Sequence, residues 1–299
     1  DPRLSIGSPP SAASRHQAHT AKMLHGACRR MARASRPQLV NKAAEFARPW
    51  LHVFRPADLS APWWNAEQRR IAESMFRAPI GAHPVIVIQT IERLPVHGIP
   101  QICMIGQSNV GKSTLINALV HGKEIARSSK EPGRTRHLFV FDIGSHISLV
   151  DLPGYGHAKV TYSLQREWAD LVRAYLQRSP DLRRVVCLVD ASVGLKASDL
   201  EVWDTIQGAG RRMMVVLTKA DRCHAEDLHR NVAEVSAALQ HLDKNLVWPY
   251  VHAVSAEHDL GMRELRASLS LEGTAASEGA ETGGEPLGPE THRRAWLEK

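Results

Sequence analysis

The sequence predicts an α/β domain, a mostly parallel sheet with helices on both faces. Three observations point to it. From Gln101 onward, short apolar runs rich in β-branched residues alternate with longer amphipathic stretches. A glycine-containing loop, Gly106 to Ser113, joins the first of these runs to a helix-like stretch. Two further runs, Leu138–Ile143 and Ile147–Leu152, flank Gly144-Ser145, which marks one antiparallel hairpin in an otherwise parallel order.

Taken in chain order, residues 1–59 are rich in Pro, Ser, Ala and Arg and lack sustained periodicity, although Lys22–Arg36 is suited to a basic helix. Residues 1–60 hold ten Lys/Arg against three acidic residues, an excess equal to the +7 of the whole 299-residue chain, so the remainder is neutral. A basic, acid-poor segment of this kind reads as an organelle transit region or a nucleic-acid-binding arm, with a solvated tail lacking any partner as the third reading. Residues 60–95 form a helical and extended lead-in. Ser60 is the expected N-cap, Pro62 sits near the first turn, and Ile71, Met75 and Phe76 repeat at helical spacing. Trp63 and Trp64 read as packing anchors rather than a base-stacking platform. Val85–Ile88 is strand-like.

The main domain is expected over 96–271. Its strands are Ile102–Ile105, the hairpin pair, Val185–Val189, Met213–Leu217 and Tyr250–Val254. Its helices begin at Lys112 and cover Leu164–Gln177, Ala197–Gln207, Ala225–Leu239 and Met262–Leu269. Residues 272–299, rich in Gly, Glu, Thr and Ala, read as a low-complexity tail without order.

Composition removes several classes. The chain is 43% hydrophobic, enough for a core, yet no apolar run approaches the length of about 18 residues needed for a membrane span. Cys28, Cys103, Cys187 and Cys223 form no CxxC pair, and Cys103 and Cys187 lie in apolar runs, which predicts buried thiols and a reducing compartment. Sixteen histidines are dispersed without HxxxH or HxH spacing beside carboxylates, so no histidine metal centre is expected.

The chemistry concentrates in a few motifs. Gly106-Gln107-Ser108-Asn109-Val110-Gly111-Lys112-Ser113, followed by Thr114, fits GxxxxGK[ST] between a strand and a helix, the context a P-loop requires. Its amides and the helix N-terminus surround phosphates, Lys112 reaches the β and γ oxygens, and the Ser113 hydroxyl ligates Mg²⁺. Thr218-Lys219-Ala220-Asp221 follows a strand at the sheet's carboxyl edge and chooses the base. Asp221 accepts from the ring N–H and exocyclic amine of guanine while the Lys219 stem covers the ring. Adenine has no donors there, and an unpaired buried carboxylate is worth on the order of 10⁴-fold in selectivity. Ser255-Ala256 offers a backbone N–H to the guanine oxygen. GTP, with GDP as product, is therefore the expected nucleotide.

Asp151-Leu152-Pro153-Gly154-Tyr155-Gly156 adds a carboxylate for Mg²⁺ and the Gly154 amide for the γ-phosphate. Thr135, in Glu131-Pro132-Gly133-Arg134-Thr135, is the expected second switch contact to Mg²⁺. Arg134 reads as a solvated loop arginine or a charge-stabilising finger, and His157 as an exposed loop residue. Tyr155 stands where other switches carry an amide that orients water, which leaves the source of catalysis open.

These motifs together resemble the EngB family of GTPases. The resemblance runs from about Ile91 to Leu269 and includes the NVGKS, PGRT and DLPGYG series, the segment LKASDLEVW, TKAD and VSAEHDLGMREL. It implies one Ras-like P-loop GTPase domain with six strands, Mg²⁺-GTP binding, and partners in the precursor of the large ribosomal subunit: rRNA, ribosomal proteins and other assembly factors. No membrane span and no DNA are expected. The sequence departs from the family at Gln107, Ser192 and Arg222, where Arg, Arg and Lys are usual. The extension before the matched region implies an organellar relative, in the mitochondrial matrix or alternatively the plastid stroma. Relatives lacking the glutamine use an Asn at the position of Asn109 to help hold K⁺, so K⁺ is a further candidate cofactor, and Lys112, Thr135, Gly154 and Asn109 are the expected catalytic set. The competing readings are a structural RNP-binding protein with vestigial turnover and a trafficking or signalling GTPase, the latter disfavoured because the C-terminal LEK carries no prenylation cysteine.

Overall fold

The computed structural model describes residues 48–78, 80–88, 90–93, 98–126, 137–156 and 162–281. The basic segment with its predicted helix Lys22–Arg36, and residues 282–299, lie outside the described residues. The strands are β1 (Trp50–His52), β2 (Ile80–Ile88), β3 (Gln101–Gly106), β4 (Leu138–Ile143), β5 (Ile147–Asp151), β6 (Leu182–Asp190), β7 (Met213–Thr218) and β8 (Tyr250–Ala253). Among the described residues the helices longer than one turn are α1 (Ala66–Arg77), α2 (Lys112–Leu119), α3 (Tyr162–Arg178), α4 (Ala197–Gly208), α5 (Ala225–Leu239) and α6 (Met262–Glu281).

The eight strands form one sheet in the order β1-β8-β7-β6-β3-β5-β4-β2. β3, β5, β6, β7 and β8 are parallel, and three antiparallel pairs, β1/β8, β4/β5 and β2/β4, occupy its flanks. Alternation of side chains along each central strand produces two cores. Ile102, Met104, Val186, Leu188, Met214 and Val216 face α1, α2 and α6, whereas Cys103, Ile105, Val185, Cys187, Val189, Val215 and Leu217 face α3, α4 and α5. Strands buried on both faces need apolar residues at every position, which is why they read as unbroken apolar runs.

The hairpin is as expected. Gly144 and Ser145 both have positive φ, 60° and 59°, the pair of left-handed residues a two-residue primed turn needs. The Asp142 carboxylate accepts from the Ser145 N–H at 2.9 Å. A Cβ on Gly144 would also lie 2.5 Å from the Ala78 Cβ, so the turn packs directly beneath the end of α1.

Three expectations are corrected. The implied six strands are β3–β8, and two more join them: β1, from residues assigned to the tail, and β2, which contains the Val85–Ile88 run expected to be strand-like. They pair the two open edges, which a sheet otherwise leaves as unsatisfied N–H and C=O groups. Ser60 is not the helix cap: its N–H and hydroxyl donate to Asp58 Oδ1 at 3.0 and 2.6 Å. Ala61–Trp64 forms a turn first, with Trp63 buried in the core, and Asn65 caps α1 by accepting from the Gln68 N–H at 2.8 Å. Finally, order does not stop at residue 271. α6 runs to Glu281, and at the start of the segment read as tail Glu272, 7% exposed, pairs with the buried Arg184, whose guanidinium also lies over the Trp248 ring at 4.6 Å. Composition gives no sign of a partner so distant in sequence.

Candidate functional site

At β3 the chain order reverses, with β5 on one side and β6 on the other, and such a switch point opens a crevice at the carboxyl edge of the sheet. The P-loop leaves β3 there, Asp151 ends β5, Asp190 ends β6, Thr218 ends β7 and Ser255-Ala256 follows β8.

The loop is shaped by left-handed residues, Asn109 at φ 64° and Gly111 at φ 101°, which turn the backbone into α2. The Val110 N–H donates to the Gln107 carbonyl at 3.2 Å, curling the loop. The first-turn amides of Lys112, Ser113 and Thr114 have no acceptor upstream within the helix, and they point with the positive end of its dipole toward the crevice. Together these make an anion-binding concavity. The Lys112 ammonium donates to the Asp151 carboxylate in a direct ion pair, with both side chains largely buried. Ser113, on the same turn, is half-buried. The Ser113 hydroxyl and Asp151 carboxylate are hard oxygen donors at one mouth, a donor set that suits Mg²⁺. Thr135, Arg134 and His157 lie outside the described residues.

The base-selecting motif is tied to the P-loop. The Thr218 hydroxyl donates to the Val110 carbonyl at 2.6 Å. Lys219, itself left-handed at φ 56°, donates from Nζ to the Asn109 carbonyl and to Asp190 Oδ2, both at 2.6 Å. Its stem passes over Gly111, whose Cβ would meet Lys219 Cε at 3.7 Å. Burial pushes the Asp190 carboxyl upward, but the donors Lys219 and Ser192 outweigh it and hold its pKa below the usual range. Ser192, one of the departures from the family, is thus a partner of Asp190: its N–H and hydroxyl both bond Oδ1, at 2.9 and 2.6 Å.

Asp221, with its side chain 15% exposed, sits 3.9 Å from His258 Nε2 and 4.0 Å from Arg222 Nε. The Ser255 N–H and carbonyl both bond Leu260, at 3.0 Å each, closing the loop after β8. That commits the Ser255 amide internally, so within the pair Ala256 is the one whose N–H suits a base oxygen. His258, set by its N–H bond to Ser255 Oγ at 3.2 Å, is a neighbour of the base site; it lies within VSAEHDLGMREL, where the sequence assigned it no role.

Tyr155 does not extend toward the phosphate mouth. Its hydroxyl donates to Asp199 Oδ1 at 2.6 Å, and Asp199 Oδ2 accepts the Lys196 N–H at 2.8 Å at the start of α4. Burial and the adjacent carboxylate push the phenol's pKa far up, so it remains a donor. Burial likewise raises the Asp199 carboxyl, in part offset by its donors. Gly154 lies flush on the P-loop: a Cβ there would stand 3.3 Å from the Gly106 carbonyl oxygen and from the Ser108 nitrogen. The sequence reading missed Lys196 and Asp199 as site neighbours, although an acid at the third position of a helix is a capping signal.

The sequence is similar to those of known GTPases. The family described as 50S ribosome-binding GTPase matches residues 101–219. A probable GTP-binding protein EngB of Gluconobacter oxydans is 42% identical over 183 residues, covering 61% of this chain and 79% of the relative. Those of Caulobacter vibrioides and Hyphomonas neptunium are 41% and 40% identical over 206 and 214 residues, covering 69% and 71% of this chain and 88% and 96% of theirs. A crystal structure of a probable GTP-binding protein engB covers 57% of this chain and 97% of its own, at 21% identity and a TM-score of 0.46, a likeness that carries no argument by itself.

Proposed function

Because the chain belongs to the EngB family of GTPases, we propose that its GTP cycle serves assembly of the large ribosomal subunit in mitochondria. The observation that supports the GTP cycle is the convergence of P-loop, Asp151, Gly154 and TKAD on one crevice, with Lys112 and Asp151 paired across its mouth. In this reading the P-loop amides and Lys112 take the phosphates, and Asp221 and the Ala256 N–H recognise guanine. As phosphate enters, Lys112 exchanges its carboxylate partner for phosphate oxygens, which frees Asp151. Ser113 and Asp151, with Thr135, would hold Mg²⁺, which when bound neutralises charge on the β- and γ-phosphate oxygens. Gly154 offers its amide to the γ-phosphate, so loss of that phosphate releases the segment that follows. Tyr155 has its hydroxyl committed to Asp199, which favours slow intrinsic hydrolysis that gains charge stabilisation from elsewhere, K⁺ at Asn109 or the ribosome.

The basic, acid-poor segment ahead of the family-matched residues supports both the mitochondrial matrix and contact with rRNA phosphates. The test is sedimentation of the GTP-loaded protein with mitochondrial extracts at rising salt. It is expected to travel with large-subunit precursors and to leave them steeply as salt rises. Recovery only with other fractions overturns the assignment. A Lys112→Ala chain that still supports assembly would instead favour a structural RNP-binding role.

A further inference from the structure

The bonds around Tyr155 close into a ring that joins the P-loop, the segment after β5 and the start of α4. The Tyr155 N–H donates to the Gly106 carbonyl at 3.2 Å, and its carbonyl accepts from the Ser108 N–H at 2.9 Å. This parallel bridge to Gln107 continues the β3–β5 pairing past the strand ends. From the P-loop, Gln107 Nε2 donates to Ser198 Oγ at 2.9 Å, and Lys196 Nζ donates to Gln107 Oε1 at 2.8 Å. Lys196 and Ser198 flank the first residue of α4, and the same turn presents Asp199, 2% exposed, to the Tyr155 hydroxyl. The aromatic ring packs against the core on that face.

A carboxylate held this deeply needs donors, and Asp199 has them from Tyr155 and the Lys196 N–H, with the positive end of α4 beside it. The tyrosine is therefore anchored at both ends, by backbone on the P-loop and by phenol on α4. Gly154 precedes it directly and has no freedom to drift while both anchors hold.

We infer that Tyr155 is a positioning residue: its bond to Asp199 fixes Gly154 against the P-loop, so that the Gly154 amide stands ready for the γ-phosphate. The phenol replaces the water-orienting amide of other switches by order in the backbone, and Gln107, in place of the family's Arg, completes the ring. The inference rests on Gly154 being the γ-phosphate contact, as proposed above.

Tyr155→Phe removes one oxygen and keeps the ring, and a bond to a buried charged acceptor is strong enough for about a tenfold effect. The expected result is about tenfold weaker binding of a non-hydrolysable GTP analogue and about tenfold lower kcat/KM, with GDP affinity within twofold; the thermal midpoint falls as well, because buried Asp199 loses a donor, so the affinity ratio is the readout. A merely structural role would lower both affinities together or neither. Asp199→Ala should reproduce the loss of GTP preference, and the double variant should lose no more than the larger single change. If Tyr155→Phe leaves the GTP-to-GDP affinity ratio unchanged, or if the two changes add in full, the inference is overturned. The amide resonance of Gly154 in the unmodified chain reports separately on the underlying reading: if its position is the same with GDP and with the GTP analogue, the γ-phosphate assignment itself fails, whatever Tyr155→Phe shows.

Discussion

Replacing Glu272 by Ala should destabilise this domain severely, although Glu272 lies far from the nucleotide site. Arg184 and Glu272 are 5% and 7% exposed, and the carboxylate accepts from Arg184 Nε at 2.6 Å as well as from Nη2. Half-buried Arg212 lies within electrostatic reach of both, its pKa lowered first by burial, with Glu272 opposing that shift and Arg184 and Arg183 adding to it. Glu272 is thus the shared counter-ion of a basic cluster. Its removal takes the carboxylate from a buried guanidinium that still lies over the Trp248 face, 4.6 Å away. Loss of one partner from a buried pair costs about 3–5 kcal/mol, a large part of the total of about 5–15 kcal/mol that holds a domain together. At a urea m value of about 2.5 kcal/mol/M this lowers the unfolding midpoint by about 1–2 M. Arg184→Met combined with Glu272→Leu should recover most of the loss, because a well-packed apolar pair often matches a buried ion pair. A loss below about 1 kcal/mol for Glu272→Ala would refute the claim that α6 is pinned by this contact.

Asp221→Asn should weaken GTP by up to about 10⁴-fold and shift preference toward a xanthine nucleotide, since an amide donates where the carboxylate could only accept; competition binding with GTP and XTP reads this directly. Hydrolysis should be faster in K⁺ than in Na⁺ at equal ionic strength, and equal rates with and without ribosomal particles exclude the Asn109 contribution. His252 is fully buried, and burial lowers its pKa from 6.5 to about 3. Above pH 6.5 folded and unfolded rings are both neutral; below it the unfolded chain takes a proton that the folded one refuses, so stability falls as pH drops toward 3. The loss by pH 5 should be about 2 kcal/mol in urea titrations, and His252→Phe should remove most of that pH dependence.

Much of the site was legible because its chemistry is local. A P-loop needs its glycines, lysine and serine within eight consecutive positions, and TKAD needs its lysine and aspartate two residues apart. The parallel order followed from apolar runs alternating with helical ones, and the hairpin from Gly144-Ser145, whose left-handed conformations the structure shows. The edge strand Trp50–His52 escaped notice because three residues are too few for any periodicity to register. Ser60 looked like a cap from its residue type alone, while Asn65 held the position from which a side chain reaches the free amide of Gln68.

DLPGYG shows the division most clearly. The sequence by itself determined that Tyr155 cannot orient a water as an amide does, because that is a property of the side chain. Only the tertiary structure decided where the hydroxyl goes, because its partner Asp199 lies 44 residues away and is delivered by the pairing of β3 with both β5 and β6. The same holds for Lys219 with Asn109, 110 positions apart, and for Arg184 with Glu272, 88 apart. Short-range geometry is written in residue type and spacing. Long-range partners depend on which strand ends the sheet brings together and on which polar groups burial then forces to find one another.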